Sequence, residues 1–284
     1  MRFEVIVACH NRRELTLHAF ERAQIAASEA KIEVAFTLYD DGSVDGTSDA
    51  VSASPHAVRI LHGDGTAFWA QSMALAEAAV LASSPSQPGT YLIWLNDDVI
   101  LDGNAFRTLS LAIDEHPSAV IVGAMRDLST GEVTYSGMRR KGRHPLSFEL
   151  VKPSSFSQPV ETFNGNLVAV PLGIARTVGG IDGGFSHALA DIDYGLRCGR
   201  AGVPVLLAPG TLGTCSRNAT SPRASALVEW RAFTGPKGGG NFSSQRRILR
   251  KSNRRTWLVV VAISYGLWWV RRLSSVRPVS RLTS

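Results

Sequence analysis

The chain has 284 residues, 44% hydrophobic and 19% charged, the balance of a globular enzyme with room for one large α/β domain and a tail. Its net charge of +6 averages two unlike parts: residues 246–284 hold ten Arg and Lys and no acid, while residues 1–245 carry 20 basic and 24 acidic groups. Basic charge confined to one segment excludes a nucleic-acid-binding body, and three cysteines without C-x-x-C spacing, Cys9, Cys198 and Cys215, exclude a disulfide framework or zinc knuckle and point to a reducing, cytoplasmic setting.

Residues 3–9, apolar and β-branched, predict a buried strand. Residues 14–30 have helical spacing, with Leu15, Leu17, Phe20, Ala23 and Ala27 inward. A second strand over 32–39 runs into Asp40-Asp41-Gly42, and a short helix comes next at 47–53. A third strand at 57–61 precedes Gly63-Asp64-Gly65, and 69–82 is an Ala-rich helix. A fourth strand at 91–95 ends at Asn96-Asp97-Asp98, followed by a helix at 104–115 and a fifth strand at 119–123. This alternation predicts an α/β fold whose parallel sheet is covered on both faces. The polar motifs fall at strand ends, where open α/β sheets bind ligands. Residues 130–160 read as irregular strands and basic loops around Arg139-Arg140-Lys141, and 161–215 return to compact alternation.

Three acidic motifs carry chemistry. Asp40-Asp41-Gly42-Ser43-Val44-Asp45-Gly46-Thr47 reads either as a tight turn into a helix capped at Asp45 or Thr47, or as a carboxylate facing a nucleotide base. A carboxylate only accepts hydrogen bonds. Uracil and thymine offer an N3–H donor and cytosine does not, so such an Asp selects UDP or dTDP over CDP. Asn96-Asp97-Asp98 places two repelling acids at the end of an apolar strand. The chemical reading is a D-x-D-like site for Mg²⁺ or Mn²⁺ against a diphosphate; the plain one is a solvated turn. Asp191 and Asp193 open a helix, where the dipole favours acids and where Asp191 could equally be a general base that deprotonates an acceptor hydroxyl.

The order His10-Asn11-Arg12, Asp40-Asp41-Gly42-Ser43-x-Asp45-Gly46-Thr47, Asn96-Asp97-Asp98, Gly179-Gly180-Ile181-Asp182 and Asp191-x-Asp193 resembles the inverting family 2 glycosyltransferases of the GT-A fold, over residues 3–215. Gly63-Asp64-Gly65-Thr66-Ala67-Phe68-Trp69 and Asn164-Gly165-Asn166 further resemble the rhamnosyltransferase-like branch that builds bacterial surface polysaccharides. The resemblance implies a UDP- or dTDP-sugar donor, a saccharide acceptor and a Mg²⁺ or Mn²⁺ cofactor. It puts Asp40 or Asp41 on the pyrimidine, and Asn11, Asn96 and Asp97 along the donor. Asp98, helped by Asp97, holds the metal, and Asp191 is the base. Trp69, Asn164, Gly165, Asn166 and Asp193 lie near the sugar or acceptor. The chain departs from the pattern twice. Ala190 stands where many members have Glu, and Cys215 stands about where many place a His ligand. A thiol suits a hard ion poorly, so the metal would rest on Asp98, phosphate and water.

Residues 257–270 are an apolar run of fourteen, short of the roughly twenty a membrane span needs. Arg246, Arg247, Arg250, Lys251, Arg254 and Arg255 precede it, and Arg271 and Arg272 come after it. Basic residues beside Trp and Tyr suit an anionic headgroup layer, which predicts peripheral attachment to the inner face of the membrane and a lipid-linked acceptor. The alternative is a core helix with a charged collar. The expected division is a catalytic domain over 1–215, a connecting segment over 216–245 and a membrane-associating tail over 246–284. Two rival functions are weighed. A sugar-phosphate nucleotidyltransferase would need a Gly-rich phosphate loop after the first strand, where this chain has Cys9-His10-Asn11-Arg12. A non-catalytic membrane-bound nucleotide-sugar binder would account for Ala190 and Cys215.

Overall fold

The structure, a computed structural model, describes residues 1–84, 88–216, 225–252 and 255–274. Arg254, part of the connecting segment and the last ten residues lie outside them. The chain divides into two compact units, Met1–Ala219 and Thr220–Ser284.

The first unit is built on one large sheet. β1 (Arg2–Cys9), β2 (Glu33–Asp40), β3 (Val58–His62) and β4 (Thr90–Leu95) run parallel in the order β4-β1-β2-β3. They are joined by α1 (Arg13–Ala30), by α2 (Thr47–Ser52) and by α3 (Phe68–Ser83). Alternation along β1 sends Phe3, Val5, Val7 and Cys9 into one apolar cluster with Phe20 of α1 and with Phe106, Leu109 and Ile113 of α4 (Ala105–Glu115). Phe3 meets Phe106 edge to face, ring centres 5.2 Å apart. The phase of α1 differs from expectation at one end. Thr16, Ala19, Phe20, Ala23, Ala26 and Ala27 are buried and Leu15 is 45% exposed. The stripe set by Phe20 and Ala23 continues back through Thr16, which turns position 15 outward.

The C-terminal half of the sheet is not a simple continuation. β5 (Ile100–Leu101) is a two-residue strand, and β6 (Val120–Arg126) lies two places from β4 in the sheet order. Between β4 and β6 sits β12 (Leu167–Pro171), antiparallel to both. Beyond β6 comes β13 (Val205–Thr214), parallel to β6 and antiparallel to β5. The short β7 (Val133–Tyr135) pairs with β6, and β10 (Gln158–Pro159) with β13. A separate small sheet holds β8 (Gly137–Arg140), β9 (Phe148–Leu150) and β11 (Thr162–Phe163); β8 and β9 fall within the stretch read as irregular strands and basic loops, and β11 just after it. The helices α5 (Leu172–Val178) and α6 (Ala190–Arg200) complete the unit. Tyr194 of α6 packs edge to face on Trp94 of β4 at 4.8 Å.

This topology assembles one edge. Parallel β1 to β4 all finish there. Antiparallel β12 begins there, with Leu167 opposite Leu95, and β13 ends there at Thr214. Residues 9–12, 40–47, 62–69, 95–98, 164–166 and 215 therefore share one rim of the sheet.

The second unit holds α7 (Ala226–Thr234), α8 (Phe242–Lys251) and α9 (Trp257–Ser274). Trp230 and Phe233 of α7 pack on Tyr265 and Trp268 of α9. The apolar run thus forms part of a longer helix, with one side packed as a core and the other exposed. Among the described residues no helix is long and apolar enough to cross a membrane.

Candidate active site

Three strand-end turns interlock at the rim. Asp40 closes its own turn: Oδ1 accepts from the Ser43 N–H at 3.0 Å, and Oδ2 from the Ser48 hydroxyl. Asp41 reaches the turn after β3, where Oδ1 accepts from the N–H groups of Gly65 (3.0 Å) and Ala67 (3.2 Å) and Oδ2 from Phe68 (2.9 Å). Both carboxylates are buried. The turns approach so closely that a Cβ on Gly42, at φ +69°, would lie 2.7 Å from the Gly65 nitrogen. Asn11 ties in the turn after β1. Its N–H donates to Ser43 Oγ at 2.8 Å, and its Oδ1 accepts from the Val44 N–H at 2.8 Å. Asp45 accepts from the N–H groups of both Arg13 and Thr47 at 3.1 Å, so one carboxylate serves the first turns of α1 and α2. The Thr47 hydroxyl holds its pKa below the ordinary value.

The acidic pair stands directly after β4. Arg12 Nη1 lies 2.9 Å from Asp97 Oδ1 and 3.1 Å from Asp98 Oδ2. Burial raises the Asp97 carboxyl to about 6; Arg12 pulls it down and Asp98 pushes it up. Two carboxylate oxygens thus already converge on one cationic atom. A hard divalent ion takes oxygen ligands and is commonly held by one or two carboxylates plus substrate phosphates, so this pair fits the Mg²⁺ or Mn²⁺ that the sequence resemblance implies. No third His, Cys, Asp or Glu joins it among the described residues. Cys215 stands beside the pair. Its Sγ lies 3.5 Å from Asp98 Oδ1 and 3.5 Å from Asn166 Nδ2, and burial pushes the thiol up to about 12, which leaves it a neutral S–H donor to Asp98.

A run of contacts leads from this pair to Asp191. The Asn96 N–H donates to the Asn166 carbonyl at 3.1 Å, and Asn96 Oδ1 accepts from the Trp69 indole N–H at 2.8 Å. The Trp69 ring covers Gly165, where a Cβ would stand 2.8 Å from it. The Gly165 N–H donates to Asp191 Oδ2 at 3.1 Å, and Asp191 Oδ1 takes the Ile192 N–H at 2.8 Å. Burial nevertheless raises the Asp191 pKa, the direction a general base needs. The Asn164 N–H donates to the Ser136 carbonyl at 3.1 Å and anchors this segment to the small sheet. Asp193 is not brought to the rim. It is fully buried and pairs with Arg197 at 2.8 Å, whose guanidinium also donates to the carbonyls of Val178 and Gly180.

Of the four non-glycine residues with positive φ among the described residues, three sit in these turns: Asn11 (52°), Phe68 (53°) and Leu189 (80°), next to Arg12, Trp69 and Ala190-Asp191. Strain of this kind gathers where geometry is held for function. Sequence reasoning missed Arg12 as the partner of Asp97 and Asp98, and Glu77. Glu77 is buried on α3 and accepts from the Ile181 N–H, in the glycine turn before Asp191.

The fold has known relatives. Staphylococcus aureus TarS 1–349, solved with UDP-GlcNAc, superposes with a TM-score of 0.54 at 15% identity, over 79% of this chain and 62% of that one. GalNAc-T7 with UDP, GalNAc and Mn²⁺ gives 0.62 at 14%, over 87% and 48%. The mannosyltransferase PcManGT of Pyrobaculum calidifontis, with GDP-Man and Mn²⁺, gives 0.50 at 15%, over 81% and 59%. The chain spans less than two thirds of each of these proteins, and at such identities the likeness is one of fold. Among curated proteins none matches it in sequence. The model of glycosyl transferase family 2 matches residues 4–169, more than half of the chain, from within β1 to within β12 and including the turns after β1 to β4, and the chain belongs to that family.

Proposed function

We propose that this protein moves a sugar from a UDP- or dTDP-sugar to a hydroxyl of a saccharide acceptor, with inversion at the anomeric carbon and with Mg²⁺ or Mn²⁺ as cofactor. The observation that carries this reading is the joining, on one sheet edge, of a convergent carboxylate pair, Asp97 and Asp98, to a half-buried, pKa-raised carboxylate, Asp191. The link runs through Asn96, Trp69 and Gly165. Asp191 takes the proton of the acceptor hydroxyl as its oxygen attacks the anomeric carbon from the face opposite the diphosphate. Asp97 and Asp98 hold the cation, which when bound neutralises charge on the departing diphosphate. Trp69 and the segment Asn164, Gly165 and Asn166 shape the sugar pocket between these poles. Asp40 or Asp41 faces the N3–H of the pyrimidine; each keeps acceptor capacity beyond the bonds it makes to the turns of the rim. The resemblance to the rhamnosyltransferase-like branch favours a dTDP-sugar and surface polysaccharide assembly. The basic second unit favours a lipid-linked acceptor at the inner face of the membrane. Membership of the family sets the nucleotidyltransferase reading aside.

Asp191→Asn tests the assignment. The account expects donor turnover to fall about 10²- to 10⁴-fold while donor affinity, measured by calorimetry, stays near the parent value. Turnover at the parent rate would remove Asp191 from the role of base.

A further inference from the structure

The second unit carries a surface that none of the chemistry above uses. On α9 the residues that face inward are Val260, Val261, Tyr265 and Trp268, against Trp230 and Phe233. The Tyr265 hydroxyl donates to the Gly240 carbonyl at 2.9 Å. On the other side stand Leu258, Val259, Ala262, Ile263, Gly266, Leu267 and Val270, all exposed. Their spacing keeps them on one face for three turns, and between Trp257 and Val270 that face holds no polar side chain. Its large side chains are 39–61% exposed. A helix of a water-soluble body normally turns its polar side to solvent; this one turns apolar residues both ways.

Charge brackets the apolar face. Arg255 precedes it and Arg271 comes after it, both exposed, and α8 contributes exposed Arg246 and Arg250, whose guanidinium groups sit 5.9 and 5.3 Å from the Trp257 ring centre. Residues 220–284 hold 13 Arg and Lys against one acid, Glu229, and Glu229 is paired with Arg272 at 2.6 Å. A second protein molecule with the same excess charge would be repelled. A bilayer rich in anionic headgroups satisfies both features, taking apolar side chains at the acyl boundary and arginines among the phosphates.

We propose that this face of α9 lies in the plane of an anionic membrane, with Leu258, Val259, Ile263, Leu267 and Val270 inserted and Arg246, Arg250, Arg255 and Arg271 in the headgroup layer. This deepens the membrane part of the proposed function by naming the surface. α9 does not cross the bilayer, because its other side is already filled by aromatic partners of its own unit.

The test is flotation of the full chain with phosphatidylglycerol-containing vesicles and with pure phosphatidylcholine vesicles, beside the double variant Val259→Glu/Ile263→Glu. Both positions are exposed, so the fold is not at stake. The parent should float with the anionic vesicles and the variant should lose about tenfold or more in partitioning, while its nucleotide-sugar turnover is unchanged. That retained turnover separates failure of the docking surface from failure of the enzymatic reading. An environment-sensitive dye on Ile263→Cys should shift to the blue on anionic vesicles, and one on Thr130→Cys should not. Equal flotation of parent and variant, or equal binding to neutral vesicles, would overturn the proposal. So would a dimer in light scattering that the variant dissolves, which would show a second copy covering the face.

Discussion

Arg12 is the residue whose importance only the fold reveals. It lies 85 positions before Asp97, yet β1 and β4 are parallel neighbours, so the turn after Cys9 and the turn after Leu95 must meet at one edge. Its guanidinium stands between the carboxylates that would hold the cation, and an incoming ion has to displace it. Arg12→Gln is therefore expected to tighten Mn²⁺ binding several-fold in the absence of donor, read by electron paramagnetic resonance of the free ion; unchanged or weaker binding would show that Arg12 does not guard the site. At this scale the sequence was informative where chemistry is rare, as in two adjacent acids at the end of an apolar strand. It was silent where roles depend on a distant partner. Asp40 and Asp41 read as equivalent, but Asp40 fastens its own turn while Asp41 fastens the turn before Trp69. Asp193 shares a helix start and a motif with Asp191, but two residues along a helix point to different sides, and Asp193 turns inward to Arg197.

Among the elements, short apolar runs and period-3.6 patterns made β1 to β4 and the helices between them legible, because central strands such as β1 and β4 are buried on both faces while α1 buries one face against them. The position of β12 was not legible. Leu167–Pro171 is an apolar run like any buried strand, and nothing local says that it enters between β4 and β6 in the reverse direction. That reversal is what brings Gly165 under Trp69. The approach to α6 depends on Glu77 in α3, which burial raises to about 7 against the pull of the Ile181 N–H and of Arg197. The sign comes from linkage. Between the ordinary carboxyl value near 4.5 and about 7, the unfolded chain has released this proton and the folded one still holds it, so stability falls as pH rises through that window. The contribution is on the order of 3 kcal/mol. Glu77→Gln removes the titration. Its melting temperature relative to the parent should climb between pH 5 and pH 8 by several degrees; parallel melting curves across that range would contradict this.

At the scale of the whole chain, the charge asymmetry seen in the sequence coincides with a division of structure, an acidic unit over Met1–Ala219 and a basic one over Thr220–Ser284. The boundary matters for experiment. A cut after Gln245 would fall inside α8 and strand α7 without its partners on α9, whereas a cut after Ala219 leaves the compact unit whole. The 1–219 fragment is expected to retain donor turnover and to lose vesicle binding. A fragment that turns over donor and still floats would place the anchor in the first unit.

The central claim is that the rim of the first unit cleaves the bond between a sugar and a pyrimidine nucleoside diphosphate with the help of Asp98. The most direct measurement is nucleoside diphosphate release from a panel of UDP-, dTDP-, GDP- and CDP-sugars with Mn²⁺ or with EDTA, for the parent and for Asp98→Ala. The account predicts release of UDP or dTDP only, lost in EDTA, restored by Mg²⁺ or Mn²⁺, and reduced by orders of magnitude in the variant. Release that is indifferent to both EDTA and Asp98→Ala, or preference for a GDP- or CDP-sugar, would contradict it.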